Sequence, residues 1–153
     1  PGLRATLFAV PGKVPLYMEG AEVQTDLLGE QTVGVALETR KRRAFYIPGC
    51  AHLPDWLKDR LRGGDAVFFD GTLWDDDEMI REGLGKKTGA RMGHMSMSGP
   101  DGSITAFEGI DVGRRVFVHM NNTNPVLRPD SPERAEAERH GWTIGRDGME
   151  IDV

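Results

Sequence analysis

Two short apolar segments limit most strongly what this chain can fold into, because each is followed directly by a residue of a type that binds metals. Val67-Phe68-Phe69 is followed at once by Asp70, and Val116-Phe117-Val118 is followed by His119. The first segment places phenylalanines on successive positions, which predicts a strand inside a sheet that is covered on both faces. Because loops converge where strands end in layered α/β proteins, we expect Asp70 and His119 to lie in one cleft.

A third candidate, His94, lies in a glycine-flanked loop between these two residues. It follows Asp70 by 24 positions and precedes His119 by 25, and each interval is long enough for a helix and a return. A carboxylate and imidazoles together suit zinc, iron or manganese. An isolated aspartate or histidine after a strand is more often an ordinary polar residue than a metal ligand. We interpret His52 and His140 in that way. The repeated strand-to-ligand pattern favours a metal site for the other three.

Composition excludes several classes of function. The chain has 153 residues, with 39% hydrophobic and 28% charged residues, which is typical of one globular domain. Its net charge of −5 argues against a nucleic-acid partner, and the basic run Arg40–Arg43 is interpreted as a solvated turn. The single cysteine, Cys50, permits no internal disulfide and fits a cytoplasmic location. The sequence has no apolar run of about 18 residues, so membrane insertion is not expected.

The order of predicted elements is strands first and then alternating helices and strands, which indicates a layered α/β architecture. Gly83–Gly93 is predicted to be loop. The predicted strands are Leu3–Val10, Val14–Met18, Gln31–Glu38, Arg43–Ile47, Ala66–Phe69, Arg115–Val118, Trp142–Ile144 and Met149–Val153. The predicted helices are Leu53–Leu61, Asp75–Glu82, Ser103–Glu108 and a last helix that is capped by Ser131 and stopped by Gly141.

Four long motifs resemble the pyrroloquinoline quinone (PQQ) biosynthesis protein B family. They are FFDGTLWDDDEMI (68–80), KTGARMGHMSMSG (87–99), FVHMNNTNPVLRPDSPERAE (117–136) and GWTIGRDGMEI (141–151). The resemblance extends over essentially the whole chain. It implies a metallo-β-lactamase-like fold, which is an αββα sandwich built from two halves. The family's proteins are about twice this length, and the chain starts without a methionine, so residues 1–153 are expected to be the C-terminal half of one such domain, with the N-terminal half as its partner.

The resemblance also implies roles for the three candidate residues. Asp70 takes the place of the strand-end metal carboxylate, and His119 takes the place of the last metal histidine. His94 matches a loop histidine that acts on the substrate or leaving group, so it is the expected catalytic residue. The family fold's usual middle metal histidine should fall near Leu7–Lys13, where this sequence has none. That difference favours one metal with open positions over a two-metal hydrolase.

The implied activity is an oxidative step of PQQ biosynthesis. Iron(II) is the expected native metal, and zinc is expected to fill the same site in crystals. The reaction would be oxygen-dependent hydroxylation of the tyrosine ring in a cross-linked glutamate–tyrosine precursor, with Arg91, Asn121 and Asn122 as the expected substrate-binding residues. The side chains of Asn121 and Asn122 could instead orient His119.

Two other functions are left open. The first is a carrier that binds PQQ or its precursor and helps it towards the periplasm, for which the basic residues Lys86, Lys87 and Arg91 would suit a tricarboxylate. The second is hydrolysis by a metal-bound hydroxide, which is the usual chemistry of the fold. The sequence does not decide the oligomeric state, and a homodimer is one option.

Overall fold

A single six-stranded sheet organises the computed structural model, which describes residues 2–13 and 28–153. The strands lie in chain order. The first three pair antiparallel, and the last four pair parallel. Parallel neighbours need crossover connections, and helices supply them here. The α/β prediction is therefore confirmed. The strands are β1 (Arg4–Ala9), β2 (Val33–Glu38), β3 (Arg43–Ile47), β4 (Gly64–Asp70), β5 (Val112–Val118) and β6 (Trp142–Ile144).

The helices are short, and the last one has both of the ends that the sequence predicts. In the last helix the Ser131 side chain accepts a hydrogen bond from the backbone N–H of Arg134 at 3.1 Å, and Pro132 occupies the first position. The helix ends before Gly141, which has a φ of 79°. The helices are α1 (Asp55–Leu61), α2 (Glu78–Arg81), α3 (Gly89–Met92), α4 (Ser103–Ala106) and α5 (Pro132–Arg139), and a 3₁₀ turn covers Pro125–Leu127.

Three predicted elements differ from the structure. Gly83–Gly93 is not all loop, because it contains α3, whose four residues are too few to show a helical period. Asp75–Glu82 is helical only from Glu78, because the acidic residues before it form a turn. Met149–Val153 forms no strand. The strand predicted at Val14–Met18 lies outside the described residues.

One face of the sheet carries the hydrophobic core. Phe69 of β4 packs edge-on against Phe107 with ring centroids 4.9 Å apart, and Phe117 of β5 stacks on Trp142 at 3.8 Å. Apolar residues of α1, α4 and α5 pack into the same cluster. These helices therefore cover one face of the sheet and fix β4 and β5 beside each other.

The opposite face of the sheet is partly open and apolar. Leu7, Val35, Tyr46 and Phe68 lie side by side across β1 to β4. Leu7 is 67% exposed and Tyr46 is 41% exposed, while Phe68 is half-buried. The prediction that β4 is covered on both faces is therefore wrong for the described part of the chain, because the helices pack on the Phe69 side. Within that part, no helix has both the length and the apolar composition needed to cross a membrane.

Candidate functional site

The parallel pairing of β4 and β5 sets the position of the site. Phe69 pairs with Phe117 and Asp70 pairs with Val118, so the two strands end level with each other. Asp70 is the last residue of β4, and His119 follows the last residue of β5. Their side chains therefore leave the same edge of the sheet, which is where the strand-end pattern in the sequence places them.

An unusual backbone conformation orients His119. Its φ is 61°, which makes it the only residue other than glycine with a positive φ among those that the structure describes. The surrounding loops hold it in place. The N–H of Asn121 donates to the carbonyl of Thr72 at 3.0 Å, and the N–H of Gly71 donates to the carbonyl of Val118 at 2.8 Å. Such a conformation persists only where neighbouring contacts maintain it, and it turns the imidazole towards the end of β4.

His94 is carried by a segment that is tied at several points. Helix α3 ends at Gly93, whose φ of 86° permits the tight turn, and the N–H of His94 donates back to the carbonyl of Gly89 at 3.0 Å. The next residue, Met95, donates its N–H to the carbonyl of Cys50 at 2.8 Å, just beyond β3. The loop that the sequence predicts around His94 is therefore a fixed structure close to the sheet edge.

The three candidate residues meet at this edge. One ligand atom from each of Asp70, His94 and His119 lies within 4.8 Å of the other two. The closest approach is 2.7 Å, between Nδ1 of His94 and Oδ2 of Asp70. The imidazole rings of His94 and His119 are stacked with centroids 5.5 Å apart. Asp70 is fully buried, His94 is 20% exposed at its side chain, and His119 is exposed, so the cluster opens to solvent on one side.

The Asp70 carboxylate is held by short hydrogen bonds. Oδ2 accepts from the N–H of Cys50 at 2.9 Å, while Oδ1 accepts from the N–H and the hydroxyl of Thr72 at 3.1 Å and 2.6 Å. None of these donors is an arginine or lysine side chain. The carboxylate is therefore fixed in direction, and its negative charge stays available to a cation at the cluster.

The neighbouring thiol of Cys50 is not one of the three grouped ligand atoms. Burial of Cys50, and to a smaller extent the charge of Asp70, raise the pKa of its thiol well above the usual range. The Sγ atom donates to the carbonyl of His52 at 3.0 Å. In this arrangement the thiol is protonated at neutral pH, and a thiolate is the form that binds metals.

The donor set fits one divalent metal. Two imidazole nitrogens and one carboxylate oxygen suit zinc, iron(II) or manganese, and three protein ligands leave further positions for water or substrate. His94 lies as close to Asp70 as a fellow ligand would lie. The division of roles that the sequence suggests, with Asp70 and His119 as ligands and His94 as the catalytic residue, therefore stays a prediction.

The predicted substrate-binding residues have different surroundings. Arg91 is exposed in α3, on the segment that leads to His94, and Asn122 is exposed in the loop after His119. Asn121 is half-buried, and its side-chain amide contacts Thr123 Oγ1 at 2.6 Å and Met79 Sδ at 2.9 Å. The contacts of Asn121 hold the loop after His119. A substrate-binding role for each of the three stays a prediction.

Sequence reasoning missed two polar residues that support the site. Thr72 contacts all three members of the cluster. In the sequence, the only indication of this role was the position of its hydroxyl two residues after a strand-end carboxylate. Glu78 is buried, and it accepts hydrogen bonds from the N–H of Trp74 and the hydroxyl of Thr123. Burial raises the pKa of the Glu78 carboxyl despite these two hydrogen bonds.

Cavities flank the cluster on two sides. The larger has a volume of about 510 Å³ and is lined by His94, His52 and acidic residues that include Asp76. The smaller, of about 200 Å³, lies beside His119 and has apolar walls that include Phe68, with Arg146 among its lining residues. A small organic molecule in either cavity would reach an imidazole of the cluster.

Comparisons with known proteins agree with this architecture. Residues 1–120 match the model of the beta-lactamase superfamily domain. Coenzyme PQQ synthesis protein B from Ruegeria pomeroyi is 59% identical over 98% of this chain and 50% of its own length. The protein of the same name from Gluconacetobacter diazotrophicus is 55% identical over 98% of this chain and 49% of its own length. The chain thus spans about half the length of the curated relatives it matches.

A solved structure gives the same result for the fold. The crystal structure of Zn²⁺-bound PqqB from Methylobacterium extorquens superposes on the whole chain with a TM-score of 0.94, at 54% sequence identity and over 51% of that protein. The resemblance and the fold that the sequence motifs predict are therefore confirmed. The chain belongs to the beta-lactamase superfamily, and its close homologues are coenzyme PQQ synthesis B proteins.

Proposed function

We propose that this chain forms part of a metal-dependent enzyme of PQQ biosynthesis. Its reaction would be the hydroxylation of the tyrosine ring in a cross-linked glutamate–tyrosine precursor. One oxygen atom of O₂ would enter the ring, and the other would leave as water with two electrons and two protons that come from an external reductant. The observation that carries the proposal is the donor set of Asp70, His94 and His119, which lies at an open sheet edge beside two cavities. The names of the relatives supply the pathway.

Iron(II) is the proposed working metal. When bound, it would supply the oxygen-activating chemistry of sites that combine histidine and carboxylate ligands and keep positions open for oxygen and substrate. Zinc binds the same ligand types more tightly than iron(II) does, so the Zn²⁺ in the related crystal structure is compatible with iron as the native metal. The buried Asp70 carboxylate and the imidazole of His119 would hold the metal in either case.

His94 is the proposed base for the substrate. A tyrosine phenol has an unperturbed pKa of about 10, so its ionisation at neutral pH needs a nearby base or cation. The His94 ring lines the cavity of about 510 Å³, and its Nδ1 lies 2.7 Å from Oδ2 of the Asp70 carboxylate, which orients the ring. The chain's contribution would be to orient the phenol in this cavity and to accept its proton.

The apolar face of the sheet is the proposed contact for the rest of the protein. Leu7 and Tyr46 are exposed there, and the relatives are about twice as long as this chain. We propose that the N-terminal half of the same domain covers this face as the second layer of the sandwich, in a cytoplasmic protein.

The exposed carboxyl groups of the precursor would be bound by Arg91 and Asn122 at the open side of the cluster.

Hydrolysis is the second candidate, because membership of the beta-lactamase superfamily supports a metal-bound hydroxide as nucleophile. The two reactions differ in their need for oxygen. A hydrolase works with zinc and without oxygen, whereas the proposed hydroxylase needs oxygen and a redox-active metal. A carrier would bind PQQ or its precursor and turn nothing over.

The test is a single-turnover assay of the full-length protein. Protein freed of metal is loaded anaerobically with iron(II) or zinc and mixed with the cross-linked precursor and an excess of a small-molecule reductant, and then labelled oxygen gas is added. We expect one labelled oxygen atom in the product with iron and no product with zinc. Product formation with zinc under anaerobic conditions would favour the hydrolase, and tight binding without any product would favour the carrier.

A further inference from the structure

The Thr72 hydroxyl is the common neighbour of the three residues in the cluster. Its Oγ1 atom lies 2.6 Å from Oδ1 of Asp70, 3.1 Å from Nδ1 of His94 and 2.9 Å from Nδ1 of His119. The two histidines are 22 and 47 positions away in the sequence. A single hydroxyl therefore connects the end of β4, the segment after α3 and the loop after β5.

The hydrogen-bonding capacity of a hydroxyl matches these three neighbours. Threonine has one O–H donor and two acceptor lone pairs. The hydroxyl donates to the Asp70 carboxylate, and its two lone pairs are left for the imidazole nitrogens of His94 and His119, each of which donates only in a form that carries a proton on Nδ1. This accounts for all the polar capacity of a residue that is only 9% exposed.

The backbone of Thr72 is fixed independently of its hydroxyl. Its N–H donates to Oδ1 of Asp70 at 3.1 Å, and its carbonyl accepts from the N–H of Asn121 at 3.0 Å. The side-chain amide of Asn124 donates to the adjacent carbonyl of Gly71 at 2.9 Å. Replacing the side chain at position 72 therefore leaves the turn anchored and removes only the hydroxyl contacts.

We propose that Thr72 is a positioning residue that fixes the Asp70 carboxylate and the His119 imidazole as metal ligands and holds the His94 imidazole beside them. This inference rests on the proposed metal site. Without the hydroxyl, the rings of His94 and His119 would lose their shared partner, and each could rotate about its side-chain torsions. Groups that orient metal ligands in this way typically contribute 10- to 100-fold to metal affinity.

The test uses three variants of the full-length protein. Thr72→Val keeps the shape of the side chain and removes the hydroxyl, while Thr72→Ser keeps the hydroxyl. The matched control is Thr105→Val, which removes a hydroxyl bonded to the carbonyl of Gly99 at 2.9 Å outside the cluster. The dissociation constant for Zn²⁺ is measured by competition with a chromogenic chelator, and the visible spectrum of the Co²⁺-loaded protein reports the geometry at the metal.

We expect Thr72→Val to weaken Zn²⁺ binding about 10- to 100-fold and to alter the Co²⁺ spectrum. Thr72→Ser and Thr105→Val should stay within about threefold of the wild type, because neither removes the hydroxyl at the cluster. If Thr72→Val does not fold, Thr72→Ala repeats the test, since alanine also lacks the hydroxyl. A serine variant as weak as the valine variant would overturn the proposal.

The outcome separates this inference from the proposed function. If the wild-type protein binds Zn²⁺ and Thr72→Val binds it equally well with an unchanged Co²⁺ spectrum, the role of Thr72 is wrong and the metal site stands. If the wild-type protein binds neither metal, the proposed metal site fails, and the role of Thr72 fails with it.

Discussion

The two ends of strand β4 carry one aspartate each, and the protein surrounds them differently. Asp65, near the start of the strand, accepts hydrogen bonds from the backbone N–H of Arg43 at 2.7 Å and from the guanidinium of Arg42 at 2.6 Å. Asp70, at the other end, is fully buried among backbone amides, the Thr72 hydroxyl and the His94 imidazole.

The difference shows what makes a strand-end carboxylate available for chemistry. The charge of Asp65 is matched by a guanidinium that is always protonated, so it pins the turn between β2 and β3 against β4. Asp70 is held by hydrogen bonds that fix its direction, and one of its partners is the His94 imidazole, a side chain of a type that binds metals. Burial and geometry distinguish the two roles, whereas the residue type is the same.

The largest expected difference is in metal affinity. In the full-length protein, Asp70→Asn should weaken Zn²⁺ binding by at least about 100-fold, because the amide keeps the size of the side chain but removes the anionic ligand. Asp65→Asn is the matched control at the other end of the same strand and should leave the affinity unchanged. Titration of both variants against a chelator measures this. Equal Zn²⁺ affinities for the two variants would show that Asp70 is not a metal ligand.

The second prediction separates the two histidines. His119→Ala should abolish oxygen-dependent turnover together with stoichiometric metal binding, because it removes a ligand. His94→Ala should keep the metal and slow the reaction by about 10²- to 10⁴-fold if His94 is the general base. Metal analysis and product formation are measured on the same preparations. Loss of metal in His94→Ala as complete as in His119→Ala would make His94 a ligand.

The third prediction concerns acid stability at the Asp65 end. The hydrogen bonds from Arg43 and Arg42 lower the pKa of the Asp65 carboxyl. A lowered pKa in the folded state contributes stability above the unfolded pKa of about 3.9 and loses it as the pH falls through the folded value. Asp65→Asn should therefore lower the Tm at neutral pH, and the difference from the wild type should shrink below about pH 4. A Tm difference that is constant with pH would contradict this.

The smallest expected effect on the Tm is at Glu78, where the pKa shift has the opposite sign to that of Asp65. Burial raises the pKa of this carboxyl, so the folded protein favours the protonated form. The contribution to stability is then full below the unfolded pKa of about 4.3 and is lost as the pH rises through the folded value. Glu78→Gln should flatten the dependence of the Tm on pH, although at every pH it loses one of the two hydrogen bonds that the carboxylate accepts. A Tm that falls more at neutral pH than in acid would contradict the shift.

The sequence predicted the features that depend on local pattern. The β2–β3 hairpin, helix α5 with its Ser131 cap, and the strands that precede Asp70 and His119 all follow from apolar runs and capping residues. Helix α3 was missed because four residues show no period. The half-buried position of Phe68 differs from the prediction of a strand covered on both faces, because an apolar run does not show which strand face a helix covers.

Of the site, the sequence predicted the residues at the strand ends but not the contacts between the loops. Thr72 contacts His94 and His119, which are 22 and 47 positions away in the sequence. The buried Glu78 accepts a hydrogen bond from Thr123, which is 45 positions away. Such contacts depend on how the loops meet at the sheet edge, and no local motif encodes that. The helix was predicted from Asp75 because acidic residues are favoured in the first turn of a helix, whereas in the structure it begins at Glu78.

The most direct test of the account is the position of the metal in the full-length protein. Crystals grown anaerobically with iron(II) would locate the ion by its anomalous scattering. We predict one ion within about 2.2 Å of an Asp70 carboxylate oxygen and of an imidazole nitrogen of His119. An ion bound elsewhere in the protein, with Asp70 and His119 contacting only protein atoms, would contradict the central claim that these strand ends form the metal site.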